Sequence, residues 1–305
     1  MAETSELDAA KLFSVEDYVC VVTGGGTGIG LMCAQALAAN GARVYITSRR
    51  ADVLSQAAEA HTPRGKGRII AARPCDVTKK EDLEALAASI KEAEGHVDVL
   101  VTAAGIQGPR GNPEGEETNE GMGEGGDGGL EDAATMVKGL WEAEGFEGWS
   151  KAYTTDVAAI YFTTLAFLPL LQAGTRKRGP LTASVVTISS MSGLMRHAQA
   201  HFAYNAAKGG AVHLSKMMSS EFQRVGVRVN SIAPGYFPSE MTTGVSEKGK
   251  SHMDNEKVQS KGHVPIGRPG KDAEMAMACL FLVKDGYVNG QVVTVDGGVM
   301  NVIAG

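Results

Sequence analysis

Five glycines fall within residues 24–30, and this cluster constrains the fold of the chain more than any other feature. It follows a short apolar run, Tyr18 to Val22, and precedes a stretch with helical periodicity, Leu31 to Ala39. A strand, a turn without Cβ atoms and a helix N-terminus together present backbone N–H groups to an anion such as a phosphate. A flexible turn is the alternative, but the position between a strand and a helix favours the phosphate site.

Six further apolar runs follow along the chain and alternate with helical patterns. They are residues 43–48, 68–72, 97–101, 185–188, 227–232 and 291–295. In one of the helical stretches, Thr78 and Glu81 predict a capping box, and Leu83, Leu86 and Ile90 repeat at helical spacing. The alternation predicts one α/β domain with a parallel sheet over residues 17–305, after an N-terminal extension of residues 1–16.

A tyrosine and a lysine four residues apart, Tyr204 and Lys208, are candidates for catalysis. On a helix they share one face, so the ammonium group lies beside the phenol and favours its ionised form. Ser190 follows the apolar run 185–188, where its hydroxyl can hold a carbonyl oxygen. A pair of this spacing is more often an amphipathic surface feature, but the serine and the glycine cluster favour an acid/base device.

Thr23-Gly24-x-x-x-Gly28-x-Gly30, Ser190 and Tyr204-x-x-x-Lys208 together resemble the motifs of the short-chain dehydrogenase/reductase family. The resemblance implies a single Rossmann-like domain, whose doubly wound parallel β-sheet has helices on both faces. It also implies that Ser190, Tyr204 and Lys208 are catalytic. The implied reaction is hydride transfer to the carbonyl carbon of a ketone, in a small organic molecule or secondary metabolite, with the tyrosine as proton donor.

The resemblance implies a set of cofactor-binding residues as well. The glycine turn holds the pyrophosphate, Asp76 and Val77 border the adenine, and the turn after the sixth strand flanks the nicotinamide. The set is Thr23, Gly24, Thr27, Gly28, Ile29, Gly30, Ser48, Arg49, Arg50, Asp76, Val77, Ala104, Gly105, Tyr204, Lys208, Pro234, Gly235, Phe237 and Ser239. His201, Phe202 and Met241 are candidate walls of a substrate pocket beside Ser190 and Tyr204, with ordinary packing as the alternative.

The residues after the second strand indicate NADP(H) rather than NAD(H). An acidic residue there would bind the ribose hydroxyls of NAD(H) and repel a 2′-phosphate, whereas this chain has Ser48, Arg49 and Arg50. Arginine binds a phosphate dianion bidentately. The alternative is a solvated helix start, and Thr27 stands where many NADP(H)-using relatives have a basic residue.

Asp156 stands where the family has a catalytic asparagine that helps to anchor a water joined to the lysine. If this residue acts through its backbone, the replacement of asparagine by aspartate changes the catalysis little. If its side chain acts, the negative charge offsets the field of Lys208 and alters the redox chemistry. Asp156 is therefore the fourth catalytic candidate. The departure keeps a second class of function open: a non-redox isomerase or cyclase, or a weakly active cofactor-binding protein. The intact serine, tyrosine and lysine argue against both.

A glycine- and glutamate-rich insertion at about residues 107–147 interrupts the alternation of strands and helices. Residues 107–150 hold eleven carboxylates and two basic residues, so the negative net charge of the whole chain, −6, arises from this stretch. Glycine and like charges oppose ordering, which favours a mobile, self-repelling loop. The alternative is a lid or a partner-binding loop. The next helix is predicted to begin near Glu147 or Gly148.

Composition and spacing argue against several other classes of protein. The seven histidines lack metal-ligand spacing, and the scattered Cys20, Cys33, Cys75 and Cys279 indicate reduced core thiols. No basic stripe indicates nucleic acid, no apolar run of about 18 residues indicates a membrane span, and the acidic start is unlike a signal peptide. We therefore expect a cytoplasmic protein without a metal and with a small-molecule substrate. The family resemblance implies a homotetramer or homodimer.

Overall fold

The computed structural model describes residues 3–111, 133–244 and 246–303. The strands are β1 Val19–Thr23, β2 Arg43–Thr47, β3 Arg68–Ala71, β4 Val99–Thr102, β5 Ala183–Ile188, β6 Val227–Pro234 and β7 Val292–Val295. They form one sheet in the order β3-β2-β1-β4-β5-β6-β7, in which all neighbouring strands are parallel. The predicted α/β fold with a doubly wound parallel sheet is confirmed.

Helices connect the strands. They are α1 Ala9–Leu12, α2 Gly28–Ala39, α3 Ala51–His61, α4 Lys80–Glu94, α5 Ala133–Trp141, α6 Phe146–Tyr153, α7 Ala159–Arg178, α8 Phe202–Phe222, α9 Glu240–Thr243, α10 Asn255–Gln259 and α11 Asp272–Lys284. Helix α1 lies in the N-terminal extension. A π-helical turn, Thr154–Ala158, joins α6 to α7.

Two apolar layers cover the two faces of the sheet. On one face, α2, α3 and α11 contribute buried residues such as Leu37, Leu54 and Leu282. On the other, α4, α7 and α8 contribute residues such as Leu86 and Phe167. The central strands are buried on both sides, which is why they read as continuous apolar runs without alternation.

The position of the functional site follows from the strand order. Strand β1 pairs with β2 on one side and with β4 on the other, so the order of the strands reverses at β1. In open parallel sheets, ligands bind at the carboxyl ends of the strands beside such a reversal. The glycine turn follows β1, and the turn that contains Ala104 and Gly105 follows β4.

The capping box predicted for Thr78 and Glu81 is wrong. Helix α4 begins at Lys80, and the residue before it, Lys79, makes no side-chain capping hydrogen bond. Thr78 instead donates from its backbone N and its Oγ1 to Oδ1 of Asp76, at 3.1 and 2.7 Å. The aspartate folds the chain into a local turn, and this turn takes the threonine away from the helix start.

The insertion is partly helical where the structure describes it. Residues 133–141 form α5, and α6 begins at Phe146, one residue before the predicted start. Gly111 donates from its backbone N to the carbonyl of Ala200 at 2.9 Å, so the first part of the insertion lies against the loop before α8. Residues 112–132, which make up about half of the predicted mobile loop or lid, lie outside the described ranges.

The continuous helix from Phe146 to Arg178 is, by length and composition alone, long and apolar enough to cross a membrane. The sequence did not predict this helix, because polar residues interrupt its apolar residues. Phe167 and Leu171 of this helix are fully buried in the apolar layer on the sheet, and core helices of soluble proteins have the same length and composition. The absence of a membrane partner stays a prediction.

Candidate active site

A cleft of about 940 Å³ lies at the carboxyl edge of the sheet, within the size range of small-molecule sites. It runs from the turn after β2, across the glycine turn, to β5 and α8. Of the predicted residues, it is lined by Gly24, Thr27, Gly28, Ile29, Gly30, Ser48, Arg49, Arg50, Asp76, Val77, Ala104, Gly105, Ser190, Tyr204, Lys208, Pro234, Gly235, Phe237, Ser239 and Met241.

Among the described residues, four predicted site residues are not part of this lining: Thr23, Asp156, His201 and Phe202. Thr23 is buried at the end of β1, and its carbonyl accepts a hydrogen bond from the backbone N of Ala103 at 3.2 Å. Phe202, the first residue of α8, is 44% exposed. The ring of His201 lies edge-on to that of Tyr204, with 6.5 Å between centroids.

The glycine turn brings the backbone of β1 against the backbone after β4. Gly24 has a φ of +65°, and a Cβ there would come within 2.8 Å of the carbonyl oxygen of Ala103 and the N of Ala104. Only glycine fits this position. Thr27, the residue before α2, has an extended backbone and makes no capping hydrogen bond to the helix. The N-terminus of α2 therefore opens into the cleft without a side-chain cap.

A hairpin that we call the strap, residues 246–250, lies against the glycine turn. The backbone N of Gly28 donates to the carbonyl oxygen of Gly249 at 3.1 Å. His61 contacts the carbonyl oxygen of Lys248 through Nε2 at 2.8 Å, and Lys250 pairs with Asp272 at 2.6 Å. The sequence carries no local signal for this contact, because the strap lies more than 200 residues after the glycine turn.

The three catalytic candidates lie together at the other end of the cleft. The Nζ of Lys208 is 5.5 Å from the centroid of the Tyr204 ring, as expected for residues one turn apart on α8. Ser190 is the second residue after the end of β5 and is 7% exposed. Its Oγ accepts a hydrogen bond from the backbone N of Ser192 at 3.1 Å, which leaves the hydroxyl hydrogen available to another acceptor.

The side chain of Asp156 contacts the catalytic lysine directly. Its Oδ1 lies 3.5 Å from Nζ of Lys208 and accepts a hydrogen bond from the backbone N of Ile106 at 3.1 Å. Among the described residues, its Oδ2 has no hydrogen-bond partner although it is buried. The residue lies in the π-helical turn, a conformation often found at functional sites. The side chain of Asp156 therefore contacts the lysine, and this contact does not depend on the role of the Asp156 backbone.

Burial affects the two charged groups of this pair in opposite ways. Burial raises the pKa of Asp156, and the nearby Lys208 and Ile106 N–H only partly offset the rise. For Lys208, burial is the largest influence and lowers the pKa, but Asp156 and Tyr204 outweigh it, so the pKa is raised overall. The lysine therefore stays protonated, and its positive charge is partly balanced by the aspartate.

Several cleft residues are absent from the prediction. Glu147, Ser150, Lys151 and Thr154 lie on one face of α6 and the π-helical turn, at helical spacing. The neighbouring insertion obscured this pattern, which would otherwise have shown a polar helix face. Glu240, the first residue of α9, also lines the cleft, and its carboxylate forms an ion pair with Arg50 at 2.6 Å.

Metal and disulfide chemistry receive no support from the part of the chain that the structure describes. It contains no group of three or more histidine, cysteine or acidic side chains placed to hold a metal ion. The four cysteines are buried and free, in agreement with the prediction of reduced core thiols.

Comparison with known proteins decides the family. Residues 18–121 match the family model described as short chain dehydrogenase, and residues 125–300 match the one described as Enoyl-(Acyl carrier protein) reductase. The chain is 35% identical over 302 residues to the short-chain dehydrogenase/reductase PhomF of Diaporthe leptostromiformis, covering 98% of this chain and 97% of that protein. The chain belongs to the short-chain dehydrogenase/reductase family.

Solved structures of similar chains include complexes with both nicotinamide cofactors. The Pseudomonas aeruginosa RhlG/NADP active-site complex has a TM-score of 0.72 and 28% identity, covering 94% of this chain and 98% of that one. A 7α-hydroxysteroid dehydrogenase complexed with NADH and 7-oxo glycochenodeoxycholic acid has a TM-score of 0.73 and 26% identity, covering 95% and 97%. As a short-chain dehydrogenase/reductase, the chain is an NAD(P)-binding oxidoreductase.

The cleft fits the dinucleotide that this family binds. The glycine turn leaves no Cβ between β1 and the backbone after β4, and the uncapped N-terminus of α2 suits a pyrophosphate. The hydroxyl, guanidinium and carboxylate groups after β2 and β3 suit a ribose and an adenine. The backbone N–H of Gly28 would have to be shared between the pyrophosphate and the strap, because it already donates to the carbonyl oxygen of Gly249.

Proposed function

We propose that this protein is an NADP(H)-dependent oxidoreductase that reduces the carbonyl of a small organic molecule or secondary metabolite to an alcohol. One observation supports the proposal most: Ser190, Tyr204 and Lys208 line the same cleft as the glycine turn. An acid/base pair and a dinucleotide site within one cleft suit hydride transfer. Reduction is the favoured direction if NADPH is the cofactor.

The chain's own residues perform the proton chemistry in this proposal. When bound, the nicotinamide supplies a hydride to the carbonyl carbon. Ser190 donates a hydrogen bond from its hydroxyl to the carbonyl oxygen, and Tyr204 gives that oxygen a proton from its phenol, so C=O becomes CH–OH. Lys208 places a positive charge beside the phenol ring and stabilises the phenolate that remains. The proposed holders of the dinucleotide are the glycine turn, Asp76, Val77 and the turns after β4 and β6.

NADP(H) is proposed because Ser48, Arg49 and Arg50 line the adenosine end of the cleft. Two guanidinium groups and a hydroxyl suit a 2′-phosphate. The RhlG complex, named with NADP, is consistent with this choice, whereas the hydroxysteroid dehydrogenase complex, named with NADH, shows that similar chains also bind the other cofactor. A ketone substrate is consistent with the 7-oxo compound of that complex.

Replacement of the tyrosine tests the proposed chemistry. We expect Tyr204→Phe to abolish reduction of a ketone panel by NADPH, followed by nicotinamide absorbance, because it removes the hydroxyl that donates the proton in this proposal. Cofactor affinity, measured by calorimetric titration with NADP⁺, should stay within about twofold of the unchanged protein, since the ring is retained. Retained turnover in the variant would show that Tyr204 is not the proton donor.

A non-redox function on the same scaffold remains the second candidate, because Asp156 supplies a buried carboxylate with a free oxygen beside Lys208. Such an isomerase or cyclase would use Asp156 as an acid/base. Mixing the protein with NADPH and a panel of ketones, enones and imines distinguishes the two. Conversion without oxidation of NADPH would support the isomerase or cyclase. No conversion combined with tight cofactor binding would support a weakly active cofactor-binding protein.

Three further expectations accompany this proposal. We propose a homodimer or homotetramer, a cytoplasmic location, and partners limited to the cofactor and the small-molecule substrate, without nucleic acid or membrane. The exposed aromatic side chains of α6 and α7 support the assembly. The location and the choice of partners depend on the sequence arguments alone.

A further inference from the structure

The adenosine end of the cleft carries less free positive charge than its sequence indicates. Arg50 is bound to Glu240 through both of its terminal nitrogens: Nη2 lies 2.6 Å from Oε2, and Nη1 lies 3.4 Å from Oε1. The charge of Arg49 adds to the hydrogen bonds from Thr78 in lowering the pKa of Asp76 against the effect of burial. Arg50 therefore has a carboxylate partner within the same cleft.

Glu240 has a second partner besides Arg50. Ser246 of the strap donates a hydrogen bond from its Oγ to Oε1 of Glu240. Glu240 is the first residue of α9, and its side chain is 29% exposed. The carboxylate thus has partners on both the strap and Arg50, whose side chain is 52% exposed.

The backbone of Arg50 is held at the edge of the cleft. Its N donates to Oγ of Ser48 at 3.2 Å. A guanidinium group has two edges that can bind an oxyanion bidentately, and Arg50 uses its Nη1–Nη2 edge for Glu240. This edge, or fork, cannot bind a phosphate in the same manner while it holds the carboxylate.

We propose that Glu240 sets the discrimination between NADP(H) and NAD(H), because it holds the guanidinium group of Arg50 in an ion pair that a 2′-phosphate has to displace. A dianionic 2′-phosphate also meets the negative charge of Glu240, whereas a ribose hydroxyl does not. The residue therefore weakens the binding of NADP(H) and leaves that of NAD(H) nearly unchanged. The inference rests on the proposed function only in taking this cleft as the dinucleotide site.

Calorimetric titration of the full chain with NADP⁺ and with NAD⁺ tests the proposal without any substrate. We expect Glu240→Gln to tighten the binding of NADP⁺ about fivefold and to leave that of NAD⁺ within about twofold, on the scale of one partly exposed charge pair. Glu240→Asp, which keeps the charge on a shorter side chain, should give a smaller change in the same direction. It also serves as the test if the glutamine variant does not fold.

A double-mutant cycle identifies Arg50 as the group that is released. Arg50→Gln should weaken the binding of NADP⁺ more in the Glu240→Gln background than in the unchanged protein, because only there is the fork free to bind the phosphate. If the pair merely anchored α9, the opposite order would be found, and both cofactors would weaken together. Glu247→Gln is the matched control, since it removes the same charge from an exposed residue of the strap.

Two results would overturn the proposal. One is an unchanged affinity of Glu240→Gln for NADP⁺, and the other is an equal change for both cofactors. These outcomes are separate from a failure of the proposed function. If the unchanged protein binds NAD⁺ more tightly than NADP⁺, the cofactor choice proposed above is wrong, but a gain for NADP⁺ alone in the variant would still support the role of Glu240.

Discussion

At the scale of single residues, Gly105 determines how closely two charged side chains approach the backbone after β4. A Cβ at this position would lie 2.6 Å from Oδ1 of Asp156 and 3.4 Å from Nζ of Lys208. The first distance is shorter than any normal contact, and the atoms it meets are buried. The side chains could move only by breaking the pair or the hydrogen bond from Ile106.

We expect Gly105→Ala to lower kcat at least tenfold, because it displaces the lysine from the phenol, and to destabilise the fold by about 1–3 kcal/mol through overpacking. Steady-state kinetics and urea denaturation measure the two effects. Gly65→Ala is the control, since a Cβ at that glycine meets nothing within 4 Å. A Gly105→Ala variant with normal kcat would mean that the position of the lysine is not important.

The charge of Asp156 should appear in the pH dependence of activity. Ionised Asp156 offsets part of the positive field of Lys208, so Asp156→Asn should favour the phenolate and move the midpoint of the pH–rate profile downward by about one unit. The midpoint moves downward for both oxidation and reduction, because both reactions transfer the phenol proton of Tyr204. The measurement is kcat against pH for the two proteins.

Asp254→Asn is the matched control for this substitution, because it removes the same charge from a side chain that is 75% exposed. Its profile should overlap that of the unchanged protein. An upward shift or no shift for Asp156→Asn would contradict the assignment of an electrostatic role to the side chain.

At the scale of secondary-structure elements, one buried arginine joins β6 to the segment around α11. Arg228 is 1% exposed and donates hydrogen bonds of 2.8–3.0 Å to the carbonyl oxygens of Leu181, Leu282, Val283 and Val288. Burial lowers the pKa of Arg228, with Asp285 opposing this effect. The carbonyls of Leu282 and Val288 also accept hydrogen bonds from Ser184 Oγ and Asn230 Nδ2, whereas among the described residues those of Leu181 and Val283 have Arg228 as their donor.

We expect Arg228→Met to lower the free energy of unfolding by about 3–5 kcal/mol, because it removes four buried hydrogen bonds and leaves the carbonyls of Leu181 and Val283 without a donor. Urea denaturation provides the measurement. Arg224→Met serves as the control, since that side chain is 79% exposed and its ion pair with Glu221 contributes less than about 1 kcal/mol. A loss below about 1 kcal/mol for Arg228→Met would mean that water replaces the arginine.

At the scale of the whole molecule, apolar side chains lie on the outer surface of the long helix and α8. Tyr153, Tyr161 and Met217 are 40%, 38% and 49% exposed. We propose that this surface forms the interface of the homodimer or homotetramer. Burial of aromatic and methionine side chains is typical of such interfaces.

Light scattering coupled to size-exclusion chromatography tests the assembly. We expect the unchanged protein to elute as a dimer or tetramer, and the double variant Tyr161→Arg, Met217→Arg to elute as a smaller species, since two buried charges would oppose association. Leu7→Arg is the control, because Leu7 is 59% exposed and lies in the N-terminal extension. A monomeric unchanged protein would refute the proposal.

Most of the fold was predictable because parallel strands buried on both faces leave continuous apolar runs in the sequence. All seven runs became strands, and the start of α6 was missed by one residue. The prediction failed where a local hydrogen bond competed with a helix signal, as at Thr78 and Asp76. The cleft face of α6 was missed because the glycine- and glutamate-rich insertion precedes it.

The sequence by itself determined the order of strands and helices, the glycine turn, and the spacing of Ser190, Tyr204 and Lys208, because each depends on residues close together in the chain. Only the tertiary structure decided that the side chain of Asp156 contacts Lys208 and that Glu240 forms an ion pair with Arg50. These pairs join residues 52 and 190 positions apart. The physical reason is that charge acts through space, so the charge of a site depends on which distant segments the fold brings to it.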